Sequence, residues 1–100
     1  MSASIHPPTP PVDPRKESLI EYPSLFPIKV MGAKVDGFVA AIVSIARQFD
    51  PGFDEETIEL RPSKAGNYLG VTITVTATSR EQLDDLYRAL SSHPMVKVVL

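Results

Sequence analysis

Apolar and polar residues alternate along this chain with two different periods, and each change of period marks an element. Phe26, Ile28 and Val30 alternate with Pro27, Lys29 and Met31, the period of two that belongs to a strand, with Gly32 read as its end. Val35, Phe38, Val39, Ile42, Ile45, Ala46 and Phe49 then recur at steps of one and three residues. That spacing puts one broad apolar face on a helix of about four turns, with Gly37 inside it. Asp50, Pro51 and Gly52 stop it. Ile58 and Leu60, between Thr57, Glu59 and Arg61, predict a second strand. Residues 63–67 form a hairpin loop in which Gly66 and Asn67 tolerate positive φ.

The third strand carries the most regular pattern. Leu69, Val71, Ile73, Val75 and Ala77 point one way, and Thr72, Thr74, Thr76 and Thr78 the other. Ser79 caps a second helix, with Gln82 three residues on in capping-box position. Leu83, Leu86, Tyr87 and Leu90 form its buried stripe, and His93 and Pro94 end it. Val96, Val98 and Leu100 make a last strand, with Lys97 and Val99 turned to the open side. The element order is βαββαβ. Right-handed crossovers place both helices on one face of a four-stranded antiparallel sheet, in the order 4-1-3-2. The chain is therefore an α+β sandwich with one sheet face left open.

Residues 1–17 change character. Pro7, Pro8, Pro10, Pro11 and Pro14 cannot donate in a helix or a ladder, and little apolar mass surrounds them. A disordered or polyproline II arm is expected there, with the folded domain over 18–100 and one helical turn over 18–22. Ten basic and twelve acidic residues give a formal charge of −2. That balance argues against a duplex nucleic-acid binder that lives on phosphate neutralisation. The absence of cysteine excludes disulfides, thiolate nucleophiles and zinc–thiolate sites. His6 and His93 stand at opposite ends of the chain, so no metal site and no cofactor are expected. Neither a membrane-length apolar run nor a signal peptide is present, which points to the cytoplasm.

The run Lys29-Val30-Met31-Gly32, the loop Gly66-Asn67-Tyr68, Tyr22-Pro23 and the ending Val96 to Leu100 resemble the YbeD family of small bacterial proteins. The resemblance covers residues 18–100 and implies a ferredoxin-like fold, similar to ACT domains, the regulatory modules that bind amino acids at subunit interfaces. The family's lysine beside the loop glycine is displaced here, with Lys64 followed by Ala65.

Four places could carry function. The open sheet face should present Lys29, Glu59, Arg61, Thr72, Thr74, Thr76 and Lys97 as a partner or ligand surface. Its central strand offers threonines where an RNA-recognition sheet needs aromatics. The hairpin loop, with Lys64, Gly66 and Asn67 near Arg61, could form an anion nest. The Met31-Gly32 turn with Lys34 precedes a helix N-terminus, and the matching turn of ACT-like modules helps to hold the ligand. The second and fourth strands are sheet edges through which a homodimer could form. No catalytic set assembles. The first strand–helix loop lacks the arginine of acylphosphatases, and Asp54, Glu55 and Glu56 have no nucleophile or base beside them. The expected function is a non-catalytic regulatory or interaction module for a protein partner or a small anionic metabolite such as an amino acid. Nucleic-acid binding through the open face is the alternative.

Overall fold

A computed structural model describes residues 21–100 of the chain. The arm lies outside them, as does most of the helical turn expected over 18–22; Glu21 and Tyr22 are not helical. The elements are β1 (Ser24–Ala33), α1 (Phe38–Phe49), a single 3-10 turn (Glu55–Thr57), β2 (Glu59–Pro62), β3 (Tyr68–Ala77), α2 (Arg80–Ser92) and β4 (Val96–Val99). The sheet order is β2-β3-β1-β4, the expected order read from the opposite edge.

β1 and β3 form the spine. All ten residues of β1 pair antiparallel with β3, from Ser24 opposite Ala77 to Ala33 opposite Tyr68. The apolar alternation fixes this register, because a slip of one residue would turn every buried side chain to water. Ile28, Val30, Leu69, Val71, Ile73, Val75 and Ala77 are buried on the helix side. They meet Phe38, Ile42, Val43, Ile45 and Ala46 from α1 and Leu83, Leu86 and Leu90 from α2 in one core. No polar or charged residue is buried among the described residues.

Pro27 sits in a strand with neighbours on both sides, which usually costs a ladder bond. Here it costs none. Lys29 exchanges both backbone hydrogen bonds with Leu100, so the backbone groups of alternate residues on β1 point toward β4. Pro27 has the same orientation as Lys29, and the pairing along this edge of β1 reaches no further than Lys29 among the described residues. The missing N–H therefore faces a stretch where no described strand follows.

Three local readings are corrected. Gly32 does not end β1, which runs on to Ala33. Gly37 lies outside α1: it is the N-cap, at φ 88°, a left-handed conformation that glycine adopts without strain. Val35 precedes the helix as an exposed loop residue, and Val43 takes a buried place in the stripe instead. The third correction concerns β4. Met31 pairs with Val98 but Gly32 pairs with Val96, so Lys97 is an extra residue in a bulge. A bulge flips the faces of the residues that follow it. Val98 and Leu100 consequently lie on the open side, and Val99 packs against the core.

Polar side chains fasten the corner where α1, β3 and α2 meet. Ser79 caps α2 by accepting from the Gln82 N–H at 3.0 Å. The Gln82 side chain does not return to Ser79 as a capping box would. It accepts from the Thr78 N–H (2.6 Å) and donates to the carbonyls of Phe49 (2.8 Å) and Thr76 (3.1 Å). Asp50 accepts from the Thr76 N–H at 2.9 Å. The chain ends of three elements are thus joined by two side chains. No helix among the described residues is long and apolar enough to cross a membrane.

Candidate binding face

The register of the sheet arranges its open face in rows. One row across β2, β3, β1 and β4 reads Glu59, Thr72, Lys29, Leu100. The next on the same face reads Arg61, Gly70, Met31, Val98. Tyr68 lies beyond the second row, and Thr74 and Thr76, opposite Pro27 and Leu25, lie beyond the first.

This face is more apolar than the threonine row suggests. Met31 is 46% exposed, Tyr68 47%, Val98 46%, Leu100 71% and Leu25 73%. Isolated exposed apolar residues need no explanation, but a group of them on one face marks a contact surface. Lys29, Glu59 and Arg61 stand among them. None forms an ion pair with a described residue, whereas Arg47, Arg80 and Arg88 pair with Glu55, Asp84 and Asp85.

Gly70 lies at the centre. Its φ is not positive, and an added Cβ would meet only the Arg61 carbonyl oxygen at 3.5 Å, an ordinary contact. Neither backbone geometry nor packing requires glycine at this position. A glycine in a strand interior costs about 0.5–1 kcal/mol relative to alanine. Its effect is to leave a hollow in the middle of the face. Met31, Val98, Leu100, Tyr68, Lys29 and Arg61 surround it in a trough of about 600 Å³.

The expected site residues divide into separate groups. Lys29, Met31, Arg61, Thr72 and Thr74 do share the open face. Lys97 sits in the bulge, and Val98 takes the open-face place beside Met31. Met31 and Gly32 do not form a turn. They are successive strand residues, so they face opposite sides, and Gly32 is buried. A Cβ on Gly32 would run into the Met95 carbonyl oxygen and the Phe38 ring, leaving no room for a ligand. Lys34, Lys64, Gly66 and Asn67 gather at the end of the sheet, where the Lys34 N–H donates to the Asn67 carbonyl. The loop uses its own donors: the Gly66 N–H bonds to the Ser63 carbonyl (3.0 Å) and the Tyr68 N–H to Ser63 Oγ (3.2 Å). Only Gly66 adopts positive φ there. The acids 54–56 are also structural: Asp54 caps the 3-10 turn and Glu55 pairs with Arg47. Gly70, Val98 and Leu100 were not among the expected site residues. A glycine interrupting the most regular strand was a visible sign of the first; the bulge hid the other two.

A family model described as protein of unknown function (DUF493) matches residues 17–100. The chain belongs to that family. A UPF0250 protein of Leptothrix cholodnii is 74% identical over 87 residues, covering 87% of this chain and 96% of the relative. Another from Ralstonia nicotianae is 64% identical over 90 residues, covering 90% and 93%. The YbeD-like resemblance agrees with this assignment. Among solved structures, protein HP0495 from H. pylori aligns with a TM-score of 0.70 at 17% identity, covering 94% of this chain and 98% of that one. The ACT domain of GTP pyrophosphokinase from Chlorobium tepidum aligns with a TM-score of 0.60 at 18% identity, over 77% and 83%. These likenesses establish the ferredoxin-like, ACT-like fold of this DUF493 chain.

Proposed function

We propose that this protein is a non-catalytic regulatory or interaction module whose open sheet face recognises its partner, either a protein or a small anionic metabolite such as an amino acid. One observation carries the reading: a cluster of exposed apolar side chains and of charges with no ion pair among the described residues surrounds a hollow that the fold does not require. Apolar walls supply affinity, and a few placed polar groups supply orientation, which is how small recognition sites are generally built. Lys29 and Arg61 supply positive charge for a carboxylate. The ACT-like fold is compatible with regulation but does not choose the ligand, since fold alone does not fix function.

A thermal-shift screen against amino acids and small organic acids tests this. A ligand present at about 100 times its dissociation constant adds roughly 2.7 kcal/mol to stability. For a domain of this size that raises Tm by on the order of 10 °C. The shift is expected to disappear in Arg61→Ala. A blank screen at millimolar ligand, together with no captured protein, would remove the reading. Nucleic acid is the second candidate, because the same two cations form no ion pair among the described residues. It requires binding of a single-stranded oligonucleotide that weakens steeply with salt. With one aromatic on the face, Tyr68, the stacking platform for bases is small.

A further inference from the structure

We propose that the open face is the interface of a symmetric homodimer in which two copies stack face to face with their strands antiparallel. This rests on the reading of that face as the recognition surface and names its occupant, a second copy of the chain. The twofold axis runs across the sheet along the row Leu60, Val71, Val30, Val99, which separates the two open-face rows described above.

Rotation about that axis lays each row on the other row of the second copy, and the partners match at every strand. Glu59 meets the partner's Arg61, and Arg61 meets the partner's Glu59. Thr72 meets the hollow at the partner's Gly70. The aliphatic stem of Lys29 lies along the partner's Met31. Leu100 meets the partner's Val98. Acid is set against base, bulk against a missing side chain, and apolar against apolar. A partner of single-sign charge would satisfy only one of Glu59 and Arg61, which stand two residues apart on the same strand. A second copy satisfies both.

Aligned sheets pack about 10 Å apart at roughly −30°. Over about 7 Å from the sheet centre to an edge strand, that angle displaces residues by about 4 Å, within reach of arginine and glutamate side chains. About 20 residues, those within three positions of the axis row, overlap with the second copy, which gives a flat footprint on the order of 300 Å² per copy at about 3.3 by 4.8 Å per residue. The total of about 600 Å² lies below the range of stable interfaces, so the dimer is a weak one that dissociates on dilution.

Sedimentation velocity on the full chain, from about 5 to about 500 μM, tests this over the range of weak association. The expected result is monomer at the bottom of the range and dimer at the top. Glu59→Arg and Arg61→Glu should each weaken association at least about tenfold through two like-charge contacts across the interface. The double variant should restore it to within about threefold, because the signs are then exchanged on both copies. Gly70→Val should abolish association while Tm holds or rises, since the added side chain enters only the hollow. Far-UV circular dichroism confirms folding of each variant. A monomer at every concentration overturns the proposal. So does a dimer indifferent to Arg61→Glu and Gly70→Val, which would place the contact at the strand edges. A protein that stays monomeric yet shifts in the metabolite screen keeps the recognition reading and loses the dimer. A dimer with a blank screen keeps both the face and its occupant and removes the metabolite.

Discussion

Gly32 and Gly37 are held by two different constraints and Gly70 by neither, and substitution separates them. Gly32 is fixed by space: a Cβ there would enter the Met95 carbonyl and the Phe38 ring. Gly32→Ala should cost about 3 kcal/mol or more by urea denaturation, at the upper end of overpacking, because one obstacle is backbone. Gly37 is fixed by its φ of 88° at the α1 N-cap. Neither constraint reaches Gly70, so Gly70→Ala should be neutral or stabilising by up to about 1 kcal/mol in the same assay. Gln82 is the residue whose loss removes most polar contact. Gln82→Ala would unpair the Thr78 N–H and the Phe49 and Thr76 carbonyls, with an expected cost of about 2–3 kcal/mol. A cost below about 0.5 kcal/mol would mean that water replaces the side chain at little loss.

At the scale of elements, legibility followed regularity. β3 and α2 were readable because one face of each is apolar without interruption and the other is not. β4 was misread for a physical reason: the bulge at Lys97 adds one residue, and a period of two cannot survive an insertion of one. Val98 and Leu100 were thus assigned to the core and Val99 to the open side. The start of α1 was misplaced because a glycine at an N-cap and a glycine inside a helix look alike in a pattern of apolar spacing. The candidate site was legible only in part. Lys29, Arg61 and the threonines follow from alternation, but the apolar half of the face required the pairing of β4 with β1. The hairpin loop reads as an anion site because Gly66 and Asn67 permit the geometry; in the structure the Gly66 and Tyr68 N–H groups donate to Ser63. The expected domain boundary is tested at this scale too. Removing residues 1–17 should move Tm by less than about 2 °C, because the described elements supply a continuous apolar core of their own. A fall of several degrees would place part of the arm within the fold.

For the whole molecule, both helices cover one side of the sheet, and the core they enclose contains only apolar residues among those described. Folding is therefore satisfied from one face. The other face is free to carry residues chosen for contact, and it combines apolar exposure, charges of both signs and an unforced glycine. A small domain gains stability by covering such a face. If a metabolite binds the same trough, it competes with the second copy, and by linkage each weakens the other by the same factor. Association would then be the quantity that the ligand regulates. The most direct measurement is an amide NMR spectrum followed through a dilution series. The expected shifts fall on residues 29, 31, 59, 61, 70, 72, 98 and 100, with the outer surfaces of α1 and α2 unchanged. Shifts confined to the helices, or a spectrum unchanged at every concentration, would contradict the assignment of this face as the surface through which the protein acts.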